Sequence, residues 1–273
     1  MTLCWVDGNP ATELSVHDRG LAYGDGLFET IMVADGLPRL LDRHLQRLKE
    51  GCDRLSMPCN QIAIERQIWA FSAELGDGVT KLIVSRGEGR RGYASPDPCR
   101  PRVILLGASA PSYPEVNAQV GIQLFPCATR LAEQPALAGL KHLNRLEQVL
   151  ARAEWQSDAF SEGLMRDMSG RVIEAVFSNI FMVKSGVLVT PSLTRCGVAG
   201  VMRAEILAQA HHEGIETQVC DVSLNQLLKA DELFTCNSLY GIWPVRQLEK
   251  RVWPVGPLTR KLQHSIINLL SRT

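Results

Sequence analysis

With 273 residues the chain is long enough for one large domain or two packed ones, and its 45% apolar content is that of a globular protein with a sizeable core. Basic residues number 29 and acidic residues 29, a net charge of zero that excludes the basic surplus needed to hold a phosphate backbone, so nucleic acid is not an expected partner. Nowhere do eighteen apolar residues run together, and Met1-Thr-Leu-Cys-Trp-Val6 is neither basic nor continuously apolar, so we expect no membrane partner and a cytoplasmic location.

Between Arg39 and Pro58, Leu41, Leu45, Leu48, Cys52 and Leu55 recur at helical spacing with charges opposite them, which predicts an amphipathic helix. A second helix is expected over 61–75, followed by the strand-like Lys81-Leu-Ile-Val-Ser85, a glycine-rich loop and Val103-Ile-Leu-Leu106. From Ala108 to Gln119 the chain holds two prolines and few apolar residues, which suits a link. We therefore expect an α+β protein of two domains: a smaller N-terminal domain over 1–112, a linker over 113–120, and a larger C-terminal domain with a β-rich core over 121–273. In the latter, strands are expected near Gly121, Gly163, Val172, Ile180 and Val187. Met168-Ser-Gly and Lys184-Ser-Gly read as hairpin turns, and helices are expected over 143–155, 201–212 and 258–270.

The eight cysteines are scattered without a C-x-x-C pair, and the six histidines form no H-E-x-x-H, so neither a disulfide framework nor a metal site is expected. Gly87-Glu-Gly-Arg-Arg-Gly92 satisfies G-x-G-x-x-G after a strand. A dinucleotide fingerprint also needs a helix to open at that loop, and Tyr93-Ala-Ser-Pro-Asp-Pro98 does not permit one. Arg86, Arg90 and Arg91 on one glycine loop suit either carboxylate capture or plain solvation.

Lys141 precedes a helical stretch in Gly139-Leu-Lys-His-Leu-Asn-Arg145. An amine that forms a Schiff base must lose its proton cheaply, and partial burial or the positive end of a helix lowers its pKa; an ordinary solvated lysine is the alternative. Glu174 is one acid in a mostly apolar strand, Gly170-Arg-Val-Ile-Glu-Ala-Val176, so it either faces solvent or has a cationic partner. Cys196-Gly-Val-Ala-Gly-Val-Met202 leads into a helix and frees backbone N–H groups for a phosphate or merely makes a tight turn, and Ser238 at a strand end could add a hydroxyl.

Taken in order, these stretches resemble the class-IV aminotransferase superfamily, the fold-type IV pyridoxal-phosphate enzymes, over nearly the whole chain. His17-Asp-Arg-Gly-Leu-Ala-Tyr-Gly-Asp-Gly-Leu-Phe-Glu29 is similar to its N-terminal signature and His44-Leu-Gln-Arg-Leu48 to its phosphate-binding helix. The resemblance implies pyridoxal 5'-phosphate as cofactor and Lys141 as the Schiff-base lysine. It implies Glu174 as partner of the ring nitrogen, and Arg47, the backbone of Val201 and Met202, and Ser238 as phosphate ligands. It also implies a homodimer, with Phe28, Arg91 and Tyr93 at the substrate, the loop residues coming from the neighbouring subunit.

Within the family, Lys141-His-Leu-Asn-Arg145 and the arginine loop are similar to the carbon–oxygen lyases that convert 4-amino-4-deoxychorismate to 4-aminobenzoate and pyruvate, a small-molecule step of folate biosynthesis. Branched-chain aminotransferases carry Gly-Gly-Asn-Tyr after the lysine instead. D-amino-acid aminotransferases share a basic loop but place tyrosine where Phe28 stands. Both aminotransferase activities are the alternatives.

Overall fold

The computed structural model describes residues 3–271, and they form two compact units. The first runs through Ser112 and takes in Leu140–Asn144; the second comprises Tyr113–Gly139 and the chain from Arg145 onward.

The first unit contains β1 (Cys4–Val6), β2 (Asn9–Pro10), α1 (Arg19–Tyr23), β3 (Gly26–Ala34), β4 (Leu37–Pro38), α2 (Leu41–Arg54), α3 (Gln61–Leu75), β5 (Gly78–Ser85) and β6 (Arg102–Ala108). Among the described residues its strands make a six-stranded sheet in the order β2-β1-β6-β5-β3-β4. Strand β3 alternates with period two, burying Leu27, Glu29, Ile31 and Val33, so one face of the sheet lies under helices. Helix α2 answers with Leu41, Leu45, Leu48 and Cys52 of the predicted stripe, joined by His44, while Leu55 falls at its C-cap. It approaches β3 closely at Gly51, where a Cβ would come within 2.7 Å of Leu27 Cδ1. The Asn60 side chain caps α3 by accepting the Ala63 N–H at 3.1 Å.

The segment Leu140–Asn144 lies along the first residues of β3. Phe28 N–H donates to the Lys141 carbonyl (2.9 Å), Leu143 N–H to the Gly26 carbonyl (3.0 Å), and Leu27 pairs with His142 in an isolated bridge. This corrects the reading of Lys141 as a helix-head residue of the second domain. Its backbone is taken up by strand pairing in the first unit, and the next helix begins only at Leu146.

The second unit contains α4 (Val116–Gln119), β7 (Ile122–Leu131), α5 (Leu146–Arg152), β8 (Glu162–Asp167), β9 (Arg171–Ala175), β10 (Asn179–Lys184), β11 (Val187–Pro191), α6 (Val201–His212), β12 (Thr217–Cys220), β13 (Val222–Ser223), α7 (Leu224–Leu228), β14 (Glu232–Asn237), β15 (Gly241–Leu248), β16 (Arg251–Val252) and α8 (Pro257–Ser271). Stretch 113–120, expected as a link, carries α4 and packs within this unit, because Arg260 and Gln263 of α8 donate to the Ala118 carbonyl, each at 3.0 Å. The strands run in the order β12-β11-β10-β14-β15-β7-β8-β9-β13, with β16 beside β15. Both expected hairpins form. The β10–β11 turn places Ser185 (φ 52°) and Gly186 (φ 83°) in left-handed backbone, which matches the twist of the paired strands. Ile122, Leu124, Leu164, Val172, Ile180, Leu233 and Trp243 form the core. Among the described residues no helix is long and apolar enough to cross a membrane.

Candidate active site

In the first unit the site grows from β3 and α2. Glu29 is 1% exposed, and its carboxylate takes Arg47 at both oxygens, Nε to Oε1 at 2.8 Å and Nη2 to Oε2. His44, one turn before Arg47 on the same helix face, lies 2.6 Å from Glu29 Oε2 through Nδ1. Burial acts to raise the Glu29 carboxyl, but Arg47 and then His44 outweigh it and hold it at about 2. Burial, with smaller repulsion from Arg47 and Lys141, lowers His44 against the opposing pull of Glu29. The ring is therefore neutral near pH 7 and donates its Nδ1 proton to Glu29. Among the described residues its buried Nε2 has no hydrogen-bond partner.

Sequence reasoning missed this pair. Glu29 carried the same signal as Glu174, a lone acid in an apolar strand, and its cation is supplied 18 residues later. The carboxylate's folded pKa lies below its ordinary 4.5, so its contribution to stability is present above that value and is lost as pH falls toward 2. Glu29→Gln is expected to cost on the order of 3 kcal/mol at pH 7, because it leaves a buried cation opposite an amide. Denaturant unfolding at pH 7 and pH 3 checks this: the gap between wild type and variant narrows in acid, and an equal gap at both would refute the ion-pair account.

Phe28, half-buried on β3, carries the Lys141 ammonium over its ring at 4.3 Å from the centroid. The sequence expectation for the arginine loop is only partly kept. Arg86 is buried, its Nε on Asp25 at 2.8 Å and its Nη atoms on the Leu55 and Ser56 carbonyls, so it belongs to the scaffold rather than to an open anion site. Arg90 and Arg91 are exposed, and Tyr93 is 88% exposed. No helix follows the Gly87–Gly92 run, in keeping with the rejection of a dinucleotide fingerprint.

In the second unit Glu174 of β9 is 4% exposed, which settles the choice left open by the sequence in favour of burial. Its Oε2 accepts the Val198 N–H at 2.8 Å. That donor is presented by Gly197, in left-handed backbone (φ 85°), where a Cβ would lie 2.6 Å from Ile173 Cγ2. Arg145 is a second partner in charge: burial lowers its guanidinium pKa, and Glu174, then Glu147, oppose that shift.

Helix α6 starts at Gly200 without a side-chain cap, so the N–H groups of its first turn, Val201 and Met202 among them, lack acceptors within the helix. Asn179 fixes this entrance, taking the Gly200 N–H at 3.0 Å and donating to the Val198 carbonyl at 2.9 Å. A Cβ at Gly200 would sit 2.0 Å from Asn179 Oδ1, so glycine is required by close approach. Asn179, like Arg145, carried no signal in the sequence strong enough to single it out. Ser238 is half-buried just past β14. The first unit thus brings Phe28, Arg47 and Lys141 onto neighbouring backbone, and the second offers a buried carboxylate and an open helix start.

A family model for class IV amino-transferases matches residues 26–248. The chain is 39% identical to an aminodeoxychorismate lyase of Vibrio harveyi over 96% of its own length and 98% of that protein. It is 31% identical to a putative branched-chain-amino-acid aminotransferase of Methanocaldococcus jannaschii, over 98% of this chain and 94% of the relative. A crystal structure of 4-amino-4-deoxychorismate lyase from Pseudomonas aeruginosa superimposes with a TM-score of 0.96 at 62% identity, covering 97% of this chain and 98% of that one. With the family model spanning residues 26–248 and the Vibrio harveyi relative aligned over 96% of the chain, the chain belongs to the class IV aminotransferase family.

Proposed function

We propose that this protein is a pyridoxal-phosphate-dependent carbon–oxygen lyase that converts 4-amino-4-deoxychorismate to 4-aminobenzoate and pyruvate, in the pathway to folate. The observation that carries the reading is 62% identity over 97% of the chain to a 4-amino-4-deoxychorismate lyase.

The residues fit the cofactor. Glu174 is a buried carboxylate whose charge suits a protonated ring nitrogen, and the glycine-framed start of α6 suits a phosphate. Arg47 is a second phosphate donor, Ser238 adds a hydroxyl, and Lys141 is the amine that holds the cofactor covalently. When bound, pyridoxal phosphate supplies an electron sink for the carbon that bears the substrate amine.

Once the substrate's amine has displaced it from the cofactor, Lys141 Nζ is free to take the proton from that ring carbon, and Glu174 would keep the pyridine nitrogen protonated. The carbon–oxygen bond to the enolpyruvyl group then breaks with its electron pair going to oxygen, the ring becomes aromatic, and the departing enolate takes up a proton on its methylene carbon to become pyruvate. Phe28 supplies an apolar wall beside Lys141, and Arg91 with Tyr93 orient a substrate carboxylate. Both loop side chains face solvent in the single chain, and α5 exposes Leu146, Val149 and Leu150 on one face, 60–76% exposed. A second copy covers such a stripe and receives the loop, so the working form is a homodimer; the cytoplasm is the proposed location.

Incubating the purified protein with 4-amino-4-deoxychorismate is expected to release 4-aminobenzoate and pyruvate in equal amounts. Steady transamination between a D- or branched-chain amino acid and a 2-oxo acid, without 4-aminobenzoate, would replace this reading with an aminotransferase.

A further inference from the structure

Arg19 is buried, 4% exposed, yet four of its N–H donors are spoken for by two different parts of the first unit. Nε donates to Asp25 Oδ2 at 2.9 Å, which anchors it beside β3. Nη1 donates to the carbonyls of Gly92 (3.0 Å) and Ala94 (3.2 Å), and Nη2 to that of Tyr93 (3.1 Å). A guanidinium that serves three successive carbonyls fixes a loop backbone, because its donors diverge from one rigid plane. Tyr23 completes the clamp. Its ring lies under the Arg19 guanidinium (4.8 Å) and 5.5 Å from the Tyr93 ring, and its hydroxyl accepts the Gly92 N–H at 3.2 Å. Arg19 N–H holds the other end of the loop through the Gly87 carbonyl at 2.9 Å.

We infer that Arg19 is a positioning residue for substrate selection: by clamping the backbone of 92–94 it sets where Arg91 and Tyr93 present themselves to a substrate carboxylate. The inference rests on the proposed role of those two side chains. Arg91 and Tyr93 are exposed in the single chain, and the ring that Tyr93 meets, Tyr23, is itself part of the clamp. Order at the loop is therefore imported from Arg19, whose charge is balanced by Asp25, itself shared with Arg86.

The test uses the full-length holoenzyme. Arg19→Lys keeps the charge near Asp25 but cannot serve three carbonyls, so amide exchange of 90–95 should rise and KM for 4-amino-4-deoxychorismate should increase about tenfold with kcat changed far less. Gly89→Ala is the second variant, since its Cβ would come 2.7 Å from Arg19 Cδ and displace the clamp with Arg19 in place; it should act in the same direction. Arg91→Ala together with Tyr93→Ala should raise KM, and adding Arg19→Lys to that pair should raise it no further. Unchanged loop exchange in Arg19→Lys, or fully additive KM effects, would overturn the inference and leave the reading of the loop standing. An unchanged KM in the Arg91→Ala, Tyr93→Ala pair would instead remove the loop from the substrate, and the inference with it.

Discussion

Lys141→Ala is expected to abolish the visible absorbance of the bound cofactor and to lower turnover of 4-amino-4-deoxychorismate by roughly 10³–10⁴-fold, the scale of a lost general base. The substitution removes the amine but leaves its support, since Phe28 N–H bonds the Lys141 carbonyl rather than its side chain and the extended segment along β3 should survive. An absorbance spectrum, a melting curve and a coupled 4-aminobenzoate assay check the three parts. Full absorbance and turnover in a folded variant would transfer the role to another residue. Lys81, 5.4 Å from the same Phe28 ring, is the lysine to test next.

Glu174→Ala is expected to keep bound cofactor, because the proposed phosphate contacts lie elsewhere, and to lose about 10²-fold in turnover as the ring nitrogen gives up its proton. Alanine also strips the Val198 N–H of its acceptor, so a loss in that variant alone is ambiguous. Glu174→Gln separates the two effects. An amide oxygen still accepts from Val198 but does not balance a positive charge, and the same loss is expected from it. Stopped-flow absorbance and steady-state turnover read the outcome. Wild-type rates in the glutamine variant would make Glu174 a structural acceptor for the turn at Gly197.

The elements most legible in the sequence were those with a clean period: α3 begins and ends where expected, α6 likewise, and the two short turns of the β-rich unit make hairpins. The helix after Lys141 was read three residues too early because Leu143, part of its apolar pattern, is used by strand pairing: its N–H bonds the Gly26 carbonyl. Local periodicity carries no record of such a distant partner. The same limit made Arg86 look like a member of a free basic loop, when Asp25 and two carbonyls of the α2–α3 connection had already engaged it.

The sequence by itself determined the composition class, the amphipathic faces, the resemblance to one family and the candidate status of Lys141, Arg47 and Glu174, since these depend on residue type and short spacing. Only the tertiary structure decided that Lys141 lies on an extended segment beside β3, that Arg47 is held by a buried Glu29 whose other partner is His44, and that Glu174 is out of solvent facing Val198. The physical reason is common to all three. Burial and hydrogen-bond partnership are properties of residues far apart in the chain, and they exist only once the sheets have closed over them.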